Sequence, residues 1–240
     1  MTLGSVLMLW ISTNAQAEFI AEIYGGEGWT GQHNAQVSLP NAGITGTHYE
    51  LQFDSAAIVG GRASYWFNRF KYLGFGLDVS HYFGPDQKEQ TALTQLCVTG
   101  FGCSVSPEMI KKFSNNVTVV GFDAMFRCPL FISDQFEQGK LQPYIDVGPA
   151  VFMTTLNDTG NFIPTGQSST YSSVGIRAGA GLKLFFTSNI GAFVEYKEMN
   201  FQVDDTFYNG AVVHGLTLGK TLGSATFNIQ SIVAGGSWRF

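Results

Sequence analysis

Apolar and polar side chains alternate with a period of two along most of this chain, the mark of strands that present unlike faces to two surroundings. Eight such stretches stand out. The first runs from Glu18 to about Gly28, with Phe19, Ala21 and Ile23 on one face and Glu22 and Tyr24 on the other. From about Ala56 to Asn68, Ala57, Val59, Ala63, Tyr65 and Phe67 oppose Arg62, Ser64 and Asn68. From Tyr72 to Gly84, Leu73, Phe75, Leu77 and Val79 oppose Asp78 and Ser80. Near Asn116 to Cys128, Val120, Phe122, Ala124 and Phe126 oppose Asp123 and Arg127, and from Gln142 to Met153, Ile145, Val147 and Val151 oppose Tyr144 and Asp146. From Ser173 to Phe186 the apolar series Val174, Ile176, Ala178, Ala180, Leu182 and Leu184 opposes Arg177, Lys183 and glycines. From Ile190 to about Met199, Ala192, Val194 and Tyr196 oppose Glu195 and Lys197. The last stretch, from about Ala225, ends with Ile232, Ala234, Gly236, Trp238 and Phe240 on one face and Gly235, Ser237 and Arg239 on the other.

The connections alternate as well. Asn68 to Lys71 and Thr187 to Asn189 read as tight turns, and Asp134 to Lys140 as a moderate one. Between them, roughly 29–54, 85–115, 154–172 and 200–224 read as long loops. Short turns at one end and long loops at the other describe an up-and-down barrel crossing an outer membrane, with both termini on the short-turn side. The expected fold is therefore all-β: a closed, antiparallel, eight-stranded transmembrane barrel.

Composition agrees with a chain that faces lipid. Charged residues make up 13% of the 240 residues, about half the globular average, whereas aromatic residues reach 14%. No apolar run approaches the ~20 residues of a membrane-spanning helix, so any span must be built from strands. A net charge of -5 argues against a nucleic-acid partner. At the beginning, an apolar stretch from Leu3 to Ile11 is followed by Ala15-Gln16-Ala17, the small-x-small pattern of an export cleavage site. Residues 1–17 then read as a removable signal peptide, and 18–240 as the barrel.

The charged residues provide a check on the assigned faces. Glu18, Glu22, Asp78, Asp123, Asp146 and Glu195 share the non-apolar face with Arg62, Arg127, Arg177, Lys183, Lys197 and Arg239. Acids and bases balance, as an interior must arrange, because buried charges need partners. A soluble sandwich or lipocalin-like barrel would instead place these charges outside and the apolar face inside. The aromatic residues near strand ends, Trp29, Tyr65, Trp66, Tyr72, Phe75, Tyr82, Phe83 and Trp238, read as interfacial girdles.

The "YGGEGW" opening, the "LQPYIDVGPAV" and "GIRAGAGLKLFF" strands, the cleavage site and the terminal "GGSWRF" resemble the outer-membrane protein A and opacity-type family of Gram-negative eight-stranded barrels. The resemblance covers nearly all of the chain after residue 17, as pattern more than identity. It implies localisation in the outer membrane of a Gram-negative bacterium. It also implies that Trp238 and Phe240 serve as the signal read by the barrel-assembly machinery, with periplasmic chaperones as escorts and outer-membrane lipid and lipopolysaccharide as surroundings.

Motifs for chemistry are sparse. Gly26, Gly28 and Gly31 spell a dinucleotide fingerprint, but "QHNAQVSLPNAG" is no helix start. "GLTLGKT" from Gly215 is one residue short of a phosphate loop. Cys97 and Cys103 in a long loop are candidates for a surface disulfide in an exported chain, and Cys128 is left over as a small residue on the apolar face. The histidines His33, His48, His81 and His214 are scattered, so neither a metal site nor a serine–histidine pair is expected, and no cofactor. The expected function is non-enzymatic: a structural or adhesin-like surface protein with an ion-paired, plugged interior that meets host or surface ligands through its long loops. The alternatives are a small porin-like channel or conduit for apolar solutes, for which Val212, Val213, Leu216 and Leu218 speak, and an outer-membrane lipid hydrolase or protease.

Overall fold

A computed structural model describes residues 18–31, 33–39, 43–67, 69–84, 86, 88–110, 114–157, 168–208, 211–213, 216–218 and 221–240. The expected signal peptide, with Ala15 and Ala17, lies outside the described residues, as does His214. In chain order the strands are β1 (Glu18–Thr30), β2 (His33–Leu39), β3 (Ile44–Leu51), β4 (Ala56–Trp66), β5 (Leu73–Phe83), β6 (Gln90–Val98), β7 (Gly102–Ile110), β8 (Ser114–Arg127), β9 (Leu141–Asn157), β10 (Ser168–Phe185), β11 (Ile190–Tyr208), β12 (Ala211–Val213), β13 (Leu216–Leu218) and β14 (Thr221–Arg239).

Eight of them close a ring in the order β1-β4-β5-β8-β9-β10-β11-β14, every pairing antiparallel, with β14 returning to β1. The closing seam runs from Ile20 opposite Arg239 to Thr30 opposite Ile229. Phe240 extends it, donating its backbone N–H to the Phe19 carbonyl at 2.9 Å and resting its ring 6.0 Å from that of Phe19. Closure pairs the backbone groups that an open edge would expose to lipid.

The segments expected as long loops are largely strand, which corrects that expectation. β14 outruns β1 at its outer end. There Leu222 to Ala225 pair instead with Ser38 to Ala35 of β2, and the sheet continues outward as β2-β3-β6-β7. β9, β10 and β11 likewise run past the expected ends of their stretches, and β12 pairs with β13 in a separate small hairpin. The reason is backbone satisfaction: strands rising out of the barrel carry unpaired N–H and C=O groups, and neighbouring Thr- and Ser-bearing segments supply partners.

The two faces of the ring are inverted relative to a water-soluble protein. Large apolar side chains such as Ile23, Leu77, Phe122, Ile145, Ile176 and Ile232 lie exposed on the outside, while the charged face is buried. So much apolar surface on the outer wall fits a lipid environment and not water. On β14 the apolar run from Ile232 to Phe240, at about 3.3 Å per residue and a tilt near 45°, covers roughly 20 Å. Above it the wall turns polar, with Trp29 Nε1 donating to Gln230 Oε1 (2.9 Å) and Asn228 Nδ2 to Glu198 Oε1 (2.9 Å).

Trp66 and Tyr82 are the exceptions to the girdle reading. Both point into the barrel and are fully buried, whereas Trp29, Tyr65, Tyr72, Phe75, Phe83 and Trp238 are exposed. At a strand end an aromatic ring fits either the membrane interface or the lumen mouth. Strand parity decides: Trp66 shares a face with Arg62 and Ser64, and Tyr82 with Asp78 and Ser80.

Candidate functional site

Among the described residues the lumen gathers the buried charges, and every barrel strand contributes a polar side chain to it. All of the charged residues assigned to this face are buried except Arg239, which is partly buried. They fall into tiers along the barrel axis.

At the short-turn end, Glu18 lies between two arginines. Arg127 Nη2 donates to Glu18 Oε2, and Arg239 Nε stands 2.6 Å from Glu18 Oε1. The Arg127 guanidinium sits 4.2 Å over the Trp66 ring and donates from Nη1 to Gln142 Oε1 at 3.2 Å, while Arg239 covers Phe185 at 3.7 Å. Gln142 in turn donates to the carbonyls of Gln138 (2.7 Å) and Gly139 (3.2 Å). Gly139, at φ 85°, allows that fold, which buries Phe136.

One level up, Arg62 reaches three carboxylates. Its Nε donates to Glu22 Oε2 at 2.6 Å, Nη2 stands 2.9 Å from Glu195 Oε2, and Nη1 donates to Asp146 Oδ2 at 3.3 Å. Lys183 Nζ (2.7 Å) and the Ser237 hydroxyl (2.7 Å) complete the shell of Glu22 Oε1. The Tyr144 hydroxyl donates to Glu195 Oε2 at 2.7 Å and accepts from Arg62 Nη2 at 3.0 Å.

Above that, Asp78 is the hub. It meets Arg177 Nη1 at 2.7 Å and Lys197 Nζ at 2.9 Å, and it accepts from the Tyr24 hydroxyl at 2.7 Å. Arg177 Nε also stands 3.1 Å from Asp123 Oδ1, and the Lys197 ammonium lies 4.0 Å over the Tyr24 ring. Glycines on the inner face make room for these long side chains. A Cβ on Gly121 would stand 2.6 Å from Arg177 Cδ, and one on Gly181 would stand 2.6 Å from Tyr144 Cζ.

The outer part of the lumen is apolar. Tyr82 and Met199 roof the charges, and beyond them the rings of Phe152 and Phe201 stack at 4.1 Å, Phe201 and Phe227 at 5.3 Å, and Phe53 meets Phe227 edge-on at 5.7 Å. Leu51, Phe53 and Ala92, buried residues of the outer extension, belong to this core. Sequence reasoning placed Tyr24 and Tyr144 on the charged face without assigning them a role, and it missed the phenylalanine stack. Their parity with the charges on the same strands was the available signal.

Cys97 and Cys103 face one another across the β6–β7 hairpin and form a disulfide, and Cys128 is free and exposed. In the same extension His48 Nδ1 lies 2.7 Å from the Thr94 hydroxyl, and burial lowers its pKa against the opposing pull of Glu108. His81 is on the outer wall beside Thr118 (2.9 Å), whereas Ser80 points into the lumen, so strand parity separates that serine from that histidine. Among the described residues no group of three or more His, Cys, Asp or Glu side chains is arranged to hold a metal ion. A cleft bordered by Pro143, Ala180, Leu182, Val194, Tyr196 and Ile232 opens on the outer wall.

Comparison with known proteins yields many solved structures of similar architecture, among them the following three. The outer membrane protein OprG from Pseudomonas aeruginosa is 13% identical, with 95% of this chain and 97% of that chain covered and a TM-score of 0.49. Ail, the attachment invasion locus protein of Yersinia pestis, in complex with the heparin analogue sucrose octasulfate, is 12% identical over 92% and 99% of the two chains, at 0.43. The outer membrane protease OmpT from Escherichia coli is 12% identical over 96% and 99%, at 0.39. No curated protein matches the chain. The family model described as "Outer membrane protein beta-barrel domain" matches residues 3–240. With its closed ring, lipid-compatible wall and charged interior, this chain belongs to that outer membrane β-barrel family.

Proposed function

We propose that this barrel is a closed anchor in the outer membrane of a Gram-negative bacterium, and that it acts through the sheet it raises beyond the membrane. The observation that carries this reading is the filled lumen. Buried ion pairs from Glu18 to Asp78 and the Phe152–Phe201–Phe227 stack lie in series along the axis. An eight-stranded barrel has an interior just wide enough for side chains to fill, so the part free to meet a ligand is the extension β2-β3-β6-β7. Partner binding rather than turnover is the role assigned to it. Export by a signal peptide, escort by periplasmic chaperones and recognition of Trp238 and Phe240 by the assembly machinery belong to the same reading.

The test is single-channel conductance of the refolded protein in a planar bilayer, wild type against Arg177→Ala. Silence, or rare small openings that grow more frequent in the variant, is the expected result. Steady conductance in the wild type would replace this reading with the porin-like one. Incubation with lipid A and with peptides should release no product, and turnover abolished by a single His→Ala change would overturn the non-enzymatic assignment.

A further inference from the structure

The short-turn rim is chemically lopsided. The β4–β5 turn carries two exposed cations, Arg69 and Lys71, and neither has an ion-pair partner among the described residues. Across the barrel, the β10–β11 turn is Thr187-Ser188-Asn189, with no charge, and its neighbour Arg239 is engaged by Glu18. The β8–β9 turn mixes Asp134 and Glu137 with Lys140, whose ammonium lies 5.7 Å over Phe136.

The outer wall next to the basic turn is also distinct. Phe67 meets Phe75 edge-on at 5.5 Å, Phe75 stacks on Phe122 at 5.7 Å, and Tyr72 stacks on Phe126 at 6.3 Å. These rings form a rigid apolar strip that belongs to the lipid-facing wall and ends at the turn. The turn is tied to the strip through the backbone, because the carbonyls of Tyr72 and Lys71 accept from Arg127 N and Nε, both at 2.9 Å. Two cations at the end of an aromatic strip match a molecule with an anionic head and a hydrocarbon tail.

We propose that this sector is a binding site for an anionic phospholipid of the periplasmic leaflet. The phosphate pairs with Arg69 and Lys71, and an acyl chain lies along Phe75, Phe122 and Phe126. Continuity with the lipid-facing wall makes the bilayer the source of the ligand, and the two unpaired cations supply the headgroup selectivity. The site is independent of whether the lumen conducts.

The full chain, reconstituted in phosphatidylcholine bilayers, would be probed with spin-labelled phosphatidylglycerol and spin-labelled phosphatidylcholine, and the motionally restricted fraction of each compared. A preference of about fivefold for phosphatidylglycerol is expected if one cation's worth of surface attraction is realised. That preference should shrink in about 0.5 M NaCl, where the Debye length falls to a few ångströms. Arg69→Gln with Lys71→Gln should abolish it while the barrel keeps its heat-modifiable gel mobility, and each single change should remove part of it. Equal retention of both lipids by the wild type would overturn the proposal, as would a preference that survives the double change. Phe122→Ala should lower retention of both lipids, and no change there would remove the acyl-chain half of the site.

Discussion

The side chain of Arg177 crosses the inner face of Gly121, where a Cβ would stand 2.6 Å from Arg177 Cδ and 3.0 Å from Nη1. Gly121 is paired with Asp78, the carboxylate that Arg177 engages at 2.7 Å, so the glycine makes room for the ion pair on the next strand. Gly121→Ala should therefore act as an overpacking substitution, costing about 1–3 kcal/mol. The measurement is urea unfolding in lipid vesicles. Loss of stability together with more frequent channel openings is expected, and a variant as stable as wild type would show that the guanidinium has another place to go.

Arg62 contacts Glu22, Asp146 and Glu195, whereas Lys183 has one ion-pair partner among the described residues, Glu22. Removing a cation from a buried network leaves its carboxylates uncompensated, at about 3–5 kcal/mol. Arg62→Met should thus be more destabilising than Lys183→Met. In a double-mutant cycle, Arg62→Met and Glu195→Gln should couple strongly, because they share one contact, while Arg62→Met and Glu18→Gln should be nearly additive. Equal losses from the two single cation variants would contradict the geometry.

The orientation of Trp66 is directly measurable. In variants retaining one of Trp29, Trp66 or Trp238, brominated lipid should quench Trp29 and Trp238, which are exposed on the outer wall, and leave Trp66 bright. Trp66 emission should also respond to Arg127→Ala, since the guanidinium lies 4.2 Å over its ring. Quenching of Trp66 equal to that of Trp238 would return it to the girdle.

The Cys97–Cys103 bridge closes a short loop in the outer extension, separated from β14 of the barrel seam by β2 and β3. Its reduction should remove about 2 kcal/mol of local constraint and speed proteolysis within β6–β7. Barrel unfolding should stay unchanged, because the ring closes through β1 and β14 alone.

Acid should loosen the same extension. His48 has its pKa lowered by burial, so the folded state favours the neutral ring. A base with a depressed folded pKa contributes stability above its unfolded value of about 6.5, and that contribution is lost as pH falls through the folded pKa. Amide protection in β3 and β6, taken relative to the intrinsic exchange rate at each pH, should fall on moving from about pH 7 to pH 5, around the ordinary imidazole value. His48→Gln should blunt the effect.

What the sequence determined by itself is local. Period-two alternation marked eight strands and assigned their faces, and the balance of acids and bases predicted an interior, because a strand's two sides are set by adjacent peptide units and do not depend on what it pairs with. The tertiary structure alone decided what depends on closure. Residues distant in sequence, such as Asp78 with Lys197 or Glu22 with Ser237, meet only once the ring fixes the register of every strand. Likewise the pairing of Ala35 with Ala225 turned expected loops into sheet, whereas the inward direction of Trp66 was already fixed by its parity with Arg62 and Ser64. Alternation carries no information on which charge lies across the barrel, since that depends on tilt, shear and strand number acting together.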